Sequence, residues 1–323
     1  MAFKTLAWVS IFLYGVTATF YASAQSYPSR PVRLIAPFAP GGSVDILARL
    51  VGQKLSESMG QQFVIDNRPG AGSILGVDLA AKAQPDGHTL ILVSVAFAIN
   101  ASLRKTLPYD TVRDLVPVSL VAAAPNLLVV NPTLPAASIQ DLVKLAKGTK
   151  ESLNYASAGV GTPTHLAAEL FNSMTGASLV HIPYKGGGPA LVDVISGQVK
   201  VMFPGIVSGI GHVKNGRLKG LGVTGKKRSA ALPNIPTIAE SGYPQYEALN
   251  WFAVLAPTGT PANAVQAVNK RMKELLQLND VVKFLERDGA EPMPSTPQEA
   301  RQHISNEISK WREVVNLSKA SVK

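Results

Sequence analysis

Cysteine is absent from the 323 residues, which excludes disulfides, thiolate metal sites and cysteine nucleophiles. Histidine is scarce: there are five, and no two are spaced i, i+4 as a helical zinc pair requires. No metal site and no cofactor is expected. The nucleotide signatures are missing as well. No G-x-x-x-x-G-K-[ST] occurs, "GAGSILG" has its third glycine one place too late for G-x-G-x-x-G, and "TGKKR" has no serine or threonine after its lysine. There is no G-x-S-x-G nucleophile elbow. Charged residues are only 16% against 46% hydrophobic ones, a balance that suits a compact folded chain.

The N-terminus carries a leader pattern. Lys4 supplies a positive start, residues 6–20 are mostly apolar, and Ala22-Ser23-Ala24 fits an A-x-A cleavage site. Residues 1–24 therefore read as a secretory signal peptide cut after Ala24. The run is short for a span of about 20 apolar residues, and Tyr14, Gly15, Thr17 and Thr19 interrupt it. No later segment is long and apolar enough to cross a bilayer, so no membrane insertion is expected after cleavage. An exported chain without cysteine fits a bacterial periplasm. The net charge is +10, or +9 once Lys4 leaves with the leader. Basic residues are scattered, the densest run is Lys226-Lys227-Arg228, and no aromatic-rich motif accompanies it, so no nucleic-acid partner is expected. The excess charge reads either as a diffuse field that steers small anions or as a surface basic for solubility alone.

Strand and helix signals then alternate, the pattern of a parallel-type α/β sheet with crossover helices. Residues 32–37 form a short apolar strand, and Ser43 is placed to cap a helix whose apolar face is Leu47, Leu50, Val51 and Leu55. A strand at 63–66, the loop "NRPGAGS", a helix at 74–83, the turn "QPDGH" and a strand at 89–93 complete a βαβαβ unit. The style repeats downstream. A helix with a capping-box start runs from Ser138 to near Lys147, and a strand follows at 153–156. In "SAGVGTPTHLAAELF" Thr162 is a natural N-cap with Pro163 at the first helical position. A strand at 179–182 leads through "PYKGGG" to a helix opening at Pro189. Strands at 199–203 and 218–223 close a second sheet, and Thr260-Pro261 and Thr296-Pro297 open two long C-terminal helices. The extended stretches "VPVSLVAAAPNLLVVNP" and "YEALNWFAVLAPTGTP" read as the chain leaving one lobe and returning. That divides it into 25–123 plus 249–323 for lobe 1 and 124–248 for lobe 2.

Two loops, "PFAPGGSVD" and "SAGVGTPTHL", each follow a strand, precede a helix, and fall in different lobes. A helix start leaves its first N–H groups unpaired and carries about half a positive charge, and glycine lets a ligand approach that backbone without a Cβ in the way. Facing one cleft, the two starts would hold a small anion. Burying a carboxylate costs several kcal/mol, while each hydrogen bond to a charged group returns about 1.5–3 kcal/mol, so three or four donors cover the cost. The hydroxyl candidates are Ser43, Ser94, Thr162 and Thr164, beside the backbone of Ala39, Gly41, Gly42, Gly159 and Gly161. Phe38 is best placed among the aromatics to touch a ligand, whereas Phe203, Trp251 and Phe252 read as core. Asp45 sits in a first helical turn and either complements the dipole or pins the glycine loop. His165 reads as a polar residue at a helix start; a triad with Asp45 and a serine would make it a hydrolase base. Tyr184 is a pocket wall or a core aromatic, and Lys185 neutralises a second carboxylate or points into water.

The segments "YPSRPVRLIAPFAPGGSVDILARLVGQKL", "VIDNRPGAGSILGVDLAAKAQPDGHTL", "ASAGVGTPTHLAAELF" and "VHIPYKGGGPALVDVISGQV" are similar in order and content to the Bug family of TctC-type periplasmic solute receptors. The resemblance spans essentially the whole mature chain. It implies a two-lobed periplasmic-binding-protein fold of type II with the ligand cleft between lobes. It also implies a non-enzymatic role: binding a small carboxylate for the inner-membrane subunits of a tripartite tricarboxylate transporter. Its site residues map onto Phe38, Ala39, Gly41 and Gly42 in the first loop and Ala158, Gly159, Gly161, Thr162 and Thr164 in the second, with Ser94 and Tyr184 in lining segments. The chain departs from many relatives at "SVAFAIN" and at Pro204, where an acid often follows the Met-Phe pair. Without that acid an amino-acid ligand is disfavoured against a di- or tricarboxylate or an aromatic carboxylate. The alternatives to transport are the same module serving a sensor, and a secreted Ser/His hydrolase.

Overall fold

The computed structural model describes residues 27–148 and 152–318; the leader expected at residues 1–24 lies outside them. The chain opens as β1 (Val32–Ala36), α1 (Ser43–Met59), β2 (Phe63–Asn67), α2 (Ile74–Ala81), β3 (Thr89–Ser94), α3 (Ala96–Leu103) and β4 (Leu115–Pro125). It continues as β5 (Leu127–Val130), α4 (Ile139–Gly148), β6 (Asn154–Ser157), α5 (Pro163–Thr175), β7 (Val180–Pro183), α6 (Gly187–Ser196), β8 (Val201–Met202), α7 (Ile206–Lys214) and β9 (Lys219–Val223). It closes as β10 (Leu249–Pro257), α8 (Ala262–Leu275), α9 (Asn279–Arg287), β11 (Glu291–Pro292) and α10 (Pro297–Ser318).

Two sheets result. One has six strands in the order β11-β4-β10-β3-β1-β2, the other five in the order β7-β6-β8-β5-β9. In the first, β1 lies parallel between β2 and β3; in the second, β6 lies parallel between β7 and β8. The same arrangement is thus built twice. Strands covered on both faces read as apolar runs, as in the "VRLIA" of β1. Because the strand order reverses at β1 and at β6, the loops after these two strands open the crevices where α/β sheets hold ligands. These loops are "PFAPGGS" and "SAGVGTP".

The lobes are joined by strands rather than by loose linkers. β4 runs into β5 through Asn126, and β10 returns antiparallel to β4, from Leu249 opposite Pro125 to Pro257 opposite Leu115. Two apolar clusters draw their buried residues from one lobe each, with Leu166 of α5 packing against the first from across the cleft. One lies between the first sheet and α2, α3 and α10, the other between the second sheet and α4 and α5. The third spans both, joining Leu47, Val51, Val268 and Met272 to Leu191, Val194, Ile206 and Ile210.

The structure differs from the sequence reading in definite ways. Ser43 is the first helical residue of α1, the N-cap is Gly42, and no side chain caps it. α6 begins at Gly187, two residues before Pro189. Three helices were not read: α3, α7 and α9. "AFAINASL" of α3 is buried almost all round and so shows no amphipathic period. α7 holds two glycines and starts Ile-Val, which reads as strand or loop. The C-terminal part has three helices rather than two, because the short, charged α9 follows α8.

Several glycines touch the opposite lobe, and this explains the glycine loops better than ligand approach alone. A Cβ on Gly188 would collide with the Pro40 carbonyl, one on Gly205 with Ser43 Oγ, and one on Gly72 with the Val160 carbonyl. The three atoms nearest a Cβ at Gly188 all belong to Pro40 and Gly41 of the other lobe, so Gly188→Val is expected to leave both lobes folded, with unchanged circular dichroism, while forcing them apart. Small-angle X-ray scattering checks this: the radius of gyration should rise, and an unchanged radius would show that the lobes meet without this contact.

Candidate functional site

Between the lobes lies a cavity of about 40 Å³ lined by Phe38, Gly42, Ser43, Val44, Ser94, Ala158, Thr162, Pro163, Thr164, Gly187, Pro204, Gly205, Ser208, Asn250 and Phe252. None of these residues carries a charge. Four helices begin on it: α1 at Gly42–Val44, α5 at Thr162–Thr164, α6 at Gly187 and α7 at Gly205. None of the four is capped by the side chain of its N-cap residue. First-turn N–H groups have no intrahelical acceptor, and each helix end carries about half a positive charge. The cavity is therefore ringed by backbone donors; of the hydroxyls on it, Ser43 donates to Ser208, Ser208 to the Gly205 carbonyl and Thr162 to the Gly159 carbonyl, with Thr164 paired to Thr162.

Of the residues read from sequence, the structure brings together Phe38, Gly42, Ser43, Ser94, Ala158, Thr162 and Thr164 on the cavity. The others sit behind it. The Gly41 N–H donates to Asp45 Oδ2 at 3.0 Å. Asp45 is 4% exposed and also accepts from Asn67 Nδ2 at 2.9 Å and Arg49 Nε at 3.0 Å. Burial pushes its carboxyl up, but the hydrogen bonds from Arg49, the Gly41 N–H and Asn67, with the charge of Arg49, outweigh this and hold it below the usual carboxylate range. Asp45 is thus an ionised pin for the first loop, at positive-φ Gly41. The Ala39 N–H donates across the cleft to the Lys185 carbonyl at 3.1 Å, while the Lys185 side chain is exposed. The Tyr184 hydroxyl donates to Asp193 Oδ2 at 2.6 Å on α6, so it serves the lobe and not the cavity.

The second loop satisfies its own amides. The Ala158 N–H donates to Thr164 Oγ1 at 2.8 Å, the Gly159 N–H to Ser157 Oγ at 3.0 Å, and the Gly161 N–H to His165 Nδ1 at 3.3 Å. Gly159 and Gly161 therefore shape the loop instead of offering free donors. Behind it, Tyr155, His181 and His165 stack with centroid separations of 5.0 and 4.2 Å. His181 Nε2 lies 2.5 Å from Ser157 Oγ, and Ser157 is wholly buried. A hydrolytic triad of His165 with Asp45 does not form. His165 holds a backbone amide in one lobe, and Asp45 is bound to Arg49 in the other.

Sequence reasoning missed Val44, Pro163, Gly187, Gly205, Ser208 and Asn250 as lining residues, and it assigned Phe252 to the core. Gly187 had a signal, the glycine run before α6. Ser208 follows from α7, which was not seen; Asn250 is a single polar residue in an apolar strand.

The fold and the cavity define a two-lobed α/β binding protein with its site between the lobes. The chain matches the tripartite tricarboxylate transporter family receptor (TctC) over residues 47–319 and belongs to that family. It is 39% identical over 322 residues to protein BugT of Bordetella pertussis, covering 99% of each chain. Among solved structures, Rpa4515 of R. palustris with adipate is 37% identical with a TM-score of 0.87, covering 90% of this chain and 97% of that one. The periplasmic binding protein BugD is 30% identical with a TM-score of 0.89, covering 92% of this chain and all of that one. These relatives are receptors and not enzymes, and the chain is a solute-binding protein of the same kind.

The histidine stack makes the second loop sensitive to acid. Burial pulls His165 down to about 4; burial and the neighbouring His165 do the same for His181. An unfolded histidine titrates near about 6.5, so from pH 6.5 to 4 the unfolded chain binds more protons at these positions. Their contribution is complete above pH 6.5 and is lost as pH falls toward 4. Asn at 165 reproduces a ring Nδ1 and Gln at 181 a ring Nε2. H165N/H181Q should therefore show a flatter fall in melting temperature over pH 6.5–4 than wild type, measured by calorimetry; parallel curves would refute the assignment.

Proposed function

We propose that the chain is a periplasmic receptor that closes on a small organic dicarboxylate and presents it to the membrane subunits of a tripartite tricarboxylate-type transporter. The observation that carries this reading is the convergence of four N-termini, uncapped by their own residues, on a cavity without charged side chains. At about half a charge each they sum to roughly +2, which matches a dianion. Carboxylate oxygens would accept from first-turn amides of α1, α5, α6 and α7 and from hydroxyls that turn from their present partners, Ser43 from Ser208 and Ser208 from the Gly205 carbonyl. With no acid on the lining, and Pro204 where an acid would meet an ammonium group, an amino-acid ligand lacks a partner. The adipate held by Rpa4515 supports the same class.

The lobes in this reading are residues 25–123 plus 249–323 and residues 124–248, and residues 1–24 direct export to the periplasm. Closure follows from population shift. A ligand that bonds to helix ends of both lobes favours the closed state over the open one by the difference in contacts.

A melting assay on protein refolded from denaturant tests the class. Ligand at about 100 times Kd adds roughly 2.7 kcal/mol, and each kcal/mol moves Tm by about 2–4 °C for a chain of this size. Adipate or succinate should raise Tm by several degrees, while the uncharged diamide of the same length should not. Equal shifts from diacid and diamide, or none from any carboxylate, would overturn the proposal.

A further inference from the structure

The cavity has a polar side chain on the wall that the β10 strand supplies. Asn250, opposite Ala124 in the β4–β10 ladder, is 5% exposed and lines the cavity together with Ser94, whose partner across the sheet is Phe252 two residues on. Its Oδ1 accepts the Val95 N–H at 3.4 Å, which orients the amide. Its Nδ2 has no hydrogen-bond partner among the described residues and is not fully enclosed, so a two-proton donor faces the cavity. The same lining also holds the apolar side chains of Phe38, Val44, Pro163, Pro204 and Phe252.

A donor that a bound ligand would cover sorts ligands. One that offers an oxygen there satisfies it; one that ends in hydrocarbon leaves it unpaired and is rejected. We propose that Asn250 is a specificity-determining residue: its N–H donates to an oxygen the ligand carries away from the carboxylate at the helix ends. The site thereby selects acids with a second acceptor over acids with an alkyl end. This deepens the receptor reading and rests on it.

The test is isothermal titration of wild type, N250D and N250L with two pairs of equal chain length, succinate with butyrate and adipate with hexanoate. Asp keeps the shape and the acceptor for the Val95 N–H but replaces the donor with a negative oxygen. Leu removes both polar atoms, and its melting curve checks that the fold persists. Wild type should prefer the diacid of at least one pair by about 10- to 100-fold. N250D should lose that preference outright, and N250L should bring the pair within about threefold while still binding the monoacid. A preference that survives in N250D overturns the role of Asn250 and leaves the receptor reading standing; a wild type that binds both members of each pair equally overturns that role and the dicarboxylate part of the reading, and leaves a carboxylate receptor. A wild type that binds none of the four acids overturns both.

Discussion

Buried backbone N–H groups must find an acceptor, and this constraint organises the molecule. Each of four helices ends, on its N-terminal side, at the same cavity without a cap from its own N-cap side chain. Leaving such donors dry costs about 1–3 kcal/mol apiece, which is why the proposed ligand is an anion that accepts from them. An arginine clamp would supply charge from a long, mobile side chain. Helix ends supply it from rigid elements fixed by the sheets, and the uncharged lining leaves the field of those ends unopposed.

Close approach of the two lobes depends on the glycines more than ligand contact does. Gly188 against Pro40, Gly205 against Ser43, and Gly72 against Val160 leave no space for a Cβ. The Ala39–Lys185 backbone bond and the Ser43–Ser208 hydroxyl pair at 3.2 Å then tie the faces together. The loops that look like anion cradles in sequence are therefore also the surfaces that meet on closing. Their amides divide the work. Those of Ala158, Gly159 and Gly161 are spent on holding the second loop in shape, and in the first turns of α5 and α7 the His165 and Ser208 amides already donate to the Thr162 and Gly205 carbonyls.

Much of this was legible in the residues. The apolar runs at β1, β3 and β6, the Thr162-Pro163 helix start and the two strand-to-helix loops follow from periodicity and capping chemistry, and the loops do meet at one cavity. What was not legible has specific causes. Gly41 looks like a donor in sequence because the two roles open to Asp45, complementing the dipole and pinning the loop, are not told apart until its carboxylate is seen to accept the Gly41 N–H. Phe252 looks like core because an apolar strand does not reveal which of its faces borders a cleft. α3 and α7 escaped because one is apolar all round and the other is rich in glycine. Ser208 and Asn250 escaped because each comes alone from an element far from the glycine loops in sequence. Tertiary convergence of single residues leaves no local pattern to read.

A receptor must also let go, and the same geometry bears on release. A salt bridge would bind the anion to one lobe whether the cleft were open or closed. Here the donors come from both sides, α1 from one lobe and α5, α6 and α7 from the other. Separating the lobes would remove α1 and the Phe38, Ser94, Asn250 and Phe252 walls together, and water would take up the exposed N–H groups at little cost. Affinity is then a property of the closed state rather than of either lobe. Any partner that binds the open form more tightly than the closed one lowers ligand affinity by the same factor, without touching a residue of the cavity.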